Sequence, residues 1–246
     1  MHFISIFSTI LAFIFTGTIF NRYRYKTTNH TLFWGIGLLF FAFGTLSEVV
    51  LSITFSPFWL KLWYLCGAML TAAWLGQGTI FLLVRRPGVA KSLAAMIVVA
   101  SLLSLLLLTI APMTAAPASY NTSIPATEQY GSFMNRQQAP IYIFILILTI
   151  LLNMYGAMTL VGGALYSAYI FWRKKVLFNR MVGNILIAAG GMVLAVAGSF
   201  VRMGWVDWLY LSELIGLVLI YAGYLVSTYG KDKPRKETIS TSTRQA

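Results

Sequence analysis

The chain has 246 residues, 59% hydrophobic and 10% charged, with a mean hydropathy of +0.78, which is more apolar surface than one soluble core can hide. Its net charge of +12 would suit nucleic acid, but fifteen of the 18 Lys and Arg fall in alternate connections between apolar runs, so membrane topology already accounts for them. Composition therefore excludes a soluble globular domain and a nucleic-acid binder, and the lipid bilayer becomes the first partner.

Seven runs are long enough to cross about 30 Å of hydrocarbon at about 1.5 Å per helical residue. They lie at Phe3–Phe20, Thr31–Phe55, Phe58–Val84, Ser92–Ala111, Ile141–Trp172, Met181–Val201 and Trp208–Tyr229. Continuous Leu, Ile, Ala and Gly, without polar alternation, predict helices rather than barrel strands. The expected fold is an all-α polytopic membrane protein, with residues 1–230 forming the transmembrane domain.

The first run has no Lys or Arg before it and no clean small-x-small cleavage site after it, which fits an uncleaved anchor. Arg22, Arg24 and Lys26 follow it, Arg85, Arg86 and Lys91 follow the third, Arg173, Lys174, Lys175 and Arg180 the fifth, and five more the last. The positive-inside rule then puts the N-terminus outside the cell membrane and the C-terminus in the cytoplasm. Cys66, the single cysteine, lies within the third run and has no intramolecular disulfide partner.

Residues 112–140, rich in Pro, Ala, Ser and Thr, read as a mobile external loop, with Asn121, Thr122 and Ser123 forming a glycosylation-type sequon. Residues 231–246 read as a disordered basic tail able to lie on anionic lipid.

The two halves of the chain correspond. Gly44 and Gly198 each precede a charged residue by four, Glu48 and Arg202; Trp59, Lys61, Tyr64 and Leu65 match Trp205, Asp207, Tyr210 and Leu211. Ile19, Phe20 and Arg22 match Ile170, Phe171 and Arg173. The reading is two parallel three-helix repeats, 3–84 and 141–229, joined by a linker helix at 92–111, a 3+1+3 plan of the kind used by transporters.

Ionisable groups within spans cost about 2.5–3.5 kcal/mol each on insertion scales and face bundle interiors or wet cavities. Glu48, Lys61, Arg202, Asp207 and Glu213 are the candidates. The matched pairs carry opposite signs, so Glu48 with Arg202 and Lys61 with Asp207 suggest ion pairs between repeats; the plainer reading makes Lys61, Arg202 and Asp207 interfacial anchors. Glu48 and Glu213 are too short to snorkel far and point to a pocket or an internal pair. Tyr64, Trp74, Gln77, Asn153, Tyr155, Tyr166 and Tyr210 add hydrogen-bonding groups for a cavity, while Asn153 and Gln77 equally suit interhelical bonding. Trp59, Trp63, Trp205 and Trp208 read as interface belt. The paired glycines Gly162 and Gly163, Gly190 and Gly191 read as packing surfaces.

His2 and His30, the two histidines, cannot form a bis-His haem or an H-E-x-x-H zinc site, and no Lys lies between Asp207 and Tyr229 for a retinal Schiff base. No nucleotide or nucleophile-elbow motif stands in a suitable context. No cofactor, metal or enzymatic activity is expected.

The strings Phe41-Ala-Phe-Gly-Thr-Leu-Ser-Glu48 and Trp59-Leu-Lys-Leu-Trp-Tyr-Leu-Cys-Gly67 resemble the seven-helix sensor region at the N-terminus of some bacterial histidine kinases. The whole chain is also similar to stand-alone bacterial membrane proteins of unknown function in which Leu75-Gly-Gln-Gly78, Val161-Gly-Gly-Ala-Leu-Tyr-Ser167, Gly183-Asn-Ile-Leu-Ile-Ala-Ala189 and Leu209-Tyr-Leu-Ser-Glu213 recur. Unlike in those kinases, no kinase domain or dimerisation helix is expected after Tyr229. The favoured expectation is a non-enzymatic sensory or accessory subunit in which Glu48, Lys61, Tyr64, Asn153, Arg202, Tyr210 and Glu213 hold a small polar ligand or pair internally, with a membrane or cytoplasmic protein as partner. A small transporter with the layout of SWEET carriers and a structural or assembly subunit remain as alternatives.

Overall fold

The computed structural model describes residues 2–86, 88–174, 177–202 and 206–230, with side chains described over 3–86, 88–174, 177–196 and 208–230. The expected tail, 231–246, and the side chains of Arg202 and Asp207 lie outside the described residues, as do the two ion pairs expected of them. Among the described residues eight helices follow in order: α1 (His2–Tyr25), α2 (Asn29–Leu51), α3 (Pro57–Leu83), α4 (Val89–Ile110), α5 (Ala126–Phe133), α6 (Ile141–Lys174), α7 (Phe178–Arg202) and α8 (Val206–Tyr229). All but α5 are long and apolar enough to span a membrane, and the chain is an all-α polytopic membrane protein.

Local chemistry sets several boundaries. Ser56 and Pro57 open α3, proline being suited to a first turn whose N–H groups have no helical partner. Gly88 has φ +87°, a backbone conformation that favours glycine, and α4 starts at the next residue. Within α3, Tyr64–Leu70 is π-helical. Both the main-chain N–H and the hydroxyl of Thr71 donate to the Cys66 carbonyl, the hydroxyl at 2.7 Å. Asn153 of α6 spends its two amide protons on Ala68 O at 2.7 Å and Thr149 O at 2.9 Å. The wide turn is thus held by side-chain donors, as lipid-embedded backbone requires.

The spans α1, α2, α3, α6, α7 and α8 pack in that order into a ring, closed by α8 on α1, while α4 lies outside against α3 and α6. Small residues bring the ring helices close. Gly44 of α2 meets Gly67 of α3, Gly156 of α6 meets Ala72, and Gly183 and Gly190 of α7 meet Gly223 and Gly216 of α8. Outward faces stay apolar, with Phe7 and Ile14 on α1, Val99 and Leu102 on α4, and Phe144 and Leu151 on α6 all exposed, as expected where lipid replaces water.

One end of the bundle gathers the basic residues Arg22, Arg24, Arg85, Arg86 and Arg173; the other carries residues 112–140. These are called the basic end and the cap end. The segment expected to be a mobile loop is a folded cap. Thr114 N–H donates to Phe133 O at 3.0 Å, its hydroxyl to Ser132 O at 2.6 Å, and Tyr142 OH ties down Pro112 O at 2.8 Å. Phe133 is 1% exposed, stacked among Phe55 and Tyr120 with ring centroids 4.9 and 5.6 Å away. A few aromatic residues inside a Pro- and Ser-rich stretch suffice to bury it, because the bundle's mouth supplies the other half of the core.

Candidate functional site

The Gly44–Gly67 contact places the first candidate. From that crossing of two antiparallel helices, Glu48 lies four residues on in α2 and Trp63 four residues back in α3, each about one turn nearer the cap. Trp63 Nε1 donates to Glu48 Oε1 at 2.9 Å. Glu48 is 7% exposed and its other oxygen, Oε2, is enclosed with no donor among the described residues.

Glu213 comes from α8, within electrostatic range of Glu48, and its Oε2 is likewise enclosed without a donor, although part of the residue reaches the surface. Tyr210, one turn earlier and buried, has its phenol within range of Glu48, Glu213, Tyr120 and Glu128. Two carboxyls, Glu48 and Glu213, thus meet under the cap of a strongly cationic protein, with Glu128 of the cap helix the more weakly felt at Tyr210. Tyr120, in the cap itself, has its phenol pushed up to about 12, first by burial and then by the Glu48 carboxylate, with a Gln129 hydrogen bond acting in the opposite sense.

A second feature adjoins the first through Trp63. Between the cap and the α3/α6 seam opens a cleft of about 480 Å³, with Tyr64, Tyr130 and Tyr142 on its walls and Arg136 in its lining. The Tyr130 ring lies 5.6 Å from Trp63 and 5.7 Å from Tyr64, so one aromatic cluster touches the cleft on one side and holds the Glu48 hydrogen-bond donor on the other.

The remaining sequence candidates are dispersed. Lys61 Nζ donates to Ala111 O at 2.7 Å and Thr109 O at 3.3 Å, closing the C-terminus of α4, where a cation meets the negative end of the helix dipole. The hydroxyls of Tyr64 and Thr149 lie 3.3 Å apart. Asn153 serves the π turn, far from Glu48 in role. Gln77, fully buried, donates to Ala90 O at 2.8 Å and accepts from Tyr155 OH, knitting α3, α4 and α6 together. Trp74 Nε1 bonds Ser101 Oγ at 3.0 Å, and Tyr166 is exposed. Trp63, expected in the interface belt, is instead 6% exposed and sits at the site. Tyr120, Tyr130 and Arg136 were not among the sequence candidates; the only signal for them was aromatic content within a segment that otherwise reads as loop.

Toward the basic end the axis of the ring is apolar. Phe15, Leu38, Leu75, Leu160, Ile187 and Ile220, one from each ring helix, surround a void of about 30 Å³. Beyond them Thr18 and Tyr221 hydroxyls lie 3.2 Å apart and the Arg22 guanidinium sits 6.0 Å over the Tyr224 ring. The bundle is acidic and hydrogen-bonding at one end of its axis and greasy over the rest.

Among the described residues no three of His, Cys, Asp and Glu come together to hold a metal ion. In comparisons with protein-family models, curated proteins and solved structures, no significant match to this chain was found.

Proposed function

We propose that this chain is a non-enzymatic, small-ligand-binding protein of the cell membrane, acting as a sensory or accessory subunit. Its cap end faces outward and its basic end faces the cytoplasm, where the positive-inside rule keeps the arginine and lysine clusters. The observation that carries the reading is the Trp63–Glu48 bond. It joins the aromatic cluster under an ordered cap to a buried carboxyl that has spare acceptor capacity. A solute that shifts the cap or Trp63 changes how Glu48 is satisfied, and thereby the packing of α2 against α3 and the field at Glu213 of α8. Such a ligand moves the bundle only by its differential affinity for two packings, and the basic end passes that difference to a membrane or cytoplasmic partner.

The test uses purified protein in lipid nanodiscs, screened against small polar solutes by tryptophan emission. A binding solute is expected to change emission in the wild type and to leave Trp63→Phe unchanged. Binding with identical emission changes in both proteins overturns the relay through Trp63. Reporter fusions after Tyr229 are expected to read as cytoplasmic, and an exterior signal overturns the orientation.

A transporter is the second reading, favoured by the order of helix packing. The adjacencies α1·α2, α2·α3 and α3·α6 become α6·α7, α7·α8 and α8·α1 when the two repeats are exchanged, α1 with α6, α2 with α7 and α3 with α8, leaving α4 as the outlier. That is the order expected of two parallel repeats with a linker helix, although the α8·α1 seam is the lighter of its pair. Solute flux across liposomes reconstituted with the protein favours this reading over a receptor.

A further inference from the structure

We infer that the cleft beside Trp63 is the seat of the ligand, and that its occupant is a small organic anion with a flat apolar body. The inference rests on the reading of the chain as a small-ligand binder and deepens it. The cleft volume of about 480 Å³ falls within the range of about 300–1,000 Å³ typical of small-molecule sites.

Its chemistry is lopsided. No Asp or Glu lines it, and Arg136 does. The Arg136 guanidinium makes no hydrogen bond or ion pair with other described residues, so its fork of five donors is open to a carboxylate. Beside it, Asn135 Oδ1 is already taken by the Gln137 N–H at 2.8 Å, which leaves the Asn135 amide to donate. The Tyr130 hydroxyl and the Gln137 amide are uncommitted and add donors. The ring hydroxyls that face inward are occupied, since Tyr142 OH donates to Pro112 O at 2.8 Å and Tyr64 OH pairs with Thr149. What Tyr64 and Tyr142 then offer a ligand is ring surface, and Met134 and Leu146 extend it. A site with one unpaired cation, no carboxylate, neutral groups able to turn a donor toward a ligand and aromatic walls selects a negative head on a flat body. The acidic cluster around Glu48 lies across the Trp63 indole, outside the lining. Its place there fits a relay that responds to the ligand without touching it.

The experiment compares three solutes of one shape and different charge, benzoate, benzamide and benzylammonium, by ligand-observed NMR on the full chain in nanodiscs, with protein-free nanodiscs as the blank. Benzoate is expected to bind most tightly. Arg136→Gln is expected to weaken benzoate by about tenfold or more, from the worth of a charge-assisted hydrogen bond, with Arg136→Lys in between and the other two solutes unaffected. Arg136 is exposed, so these variants test the site without disturbing the core. Equal binding of benzoate and benzamide, tighter binding of benzylammonium, no binding of any of the three, or benzoate binding indifferent to Arg136 each overturns the anion seat. Those results leave the small-ligand reading standing, because it fails on a separate result, namely flux in liposomes or solute binding that Trp63 does not sense.

Discussion

The separate costs of removing Trp63 and Glu48 should sum to more than the cost of removing them together. Both side chains are more than nine-tenths buried and share one bond of 2.9 Å. In Trp63→Phe the Glu48 Oε1 joins Oε2 as an enclosed oxygen without a donor, and one such loss costs about 1–3 kcal/mol. The smaller ring adds a packing loss of about 1 kcal/mol. In Glu48→Leu the indole N–H is orphaned, at a similar cost of about 1–3 kcal/mol, partly offset because the unpaired Oε2 disappears with it. The double variant has neither orphan. Interhelical hydrogen bonds in membranes measure about 0.6 kcal/mol on average and up to about 1.7 kcal/mol. A bond with both ends buried and one end a carboxyl belongs in the upper part of that range, so the expected coupling is about 1–1.7 kcal/mol. The assay is reversible unfolding in mixed micelles by denaturing detergent, followed by near-ultraviolet circular dichroism for all four proteins. Additivity within about 0.3–0.5 kcal/mol, the usual figure for independent sites, would refute the claim that this bond links the cap to α2.

The ring's seams give a sharp contrast. Gly156→Ala drives a methyl into the Ala72 backbone carbonyl and should cost about 3 kcal/mol, whereas Gly162→Ala meets nothing within 4 Å and should gain up to about 1 kcal/mol from helix propensity; thermal unfolding in detergent compares them. Asn153→Ala uncovers the Ala68 carbonyl of the π turn, with an expected loss of about 1–2 kcal/mol in the same assay, and a neutral result would mean the turn does not need the bond. Tyr120 should resist ionisation. Its folded value of about 12 lies above the ordinary value of about 10, so below pH 10 both states keep the proton, and between 10 and 12 the unfolded chain releases it first. Stability should therefore fall as pH rises through that window, and less so in Tyr120→Phe. Ultraviolet difference titration should also show Tyr120 ionising at lower pH in Glu48→Gln, because one of the two causes of its elevation has gone.

The seven spans are legible because each must present about 20 apolar residues to lipid, a demand written locally in composition. Glu48 is legible for the converse reason, since a carboxylate in such a run needs a cause. What pairs with it is not. Trp63 stands near a helix end, where indoles ordinarily mark the interface, and only the Gly44–Gly67 crossing turns it inward. The cap is hidden by its own composition, because Phe133 and Tyr120 complete their core only against Phe55 and the rest of the bundle's mouth. Lys61 reads as a candidate for a charge pair, yet its partners are main-chain carbonyls, which no pattern of side chains announces. The same holds for the π turn, whose support comes from Thr71 and from Asn153, the latter 85 residues from its acceptor.

That wide turn also makes α3 a place where chain length is negotiable. Between Tyr64 and Leu70 the hydrogen bonds skip one residue more than in an ordinary helix, so the segment holds a residue in surplus. Deleting one there, Cys66 for instance, lets the ladder close in the tighter α-helical register, and because the wide turn had absorbed the surplus, Pro57–Trp63 keeps its face relative to the membrane half that carries Gln77. Chains that differ by this single residue would share seven spans and the same face at the mouth, and would part company only in the width of one turn.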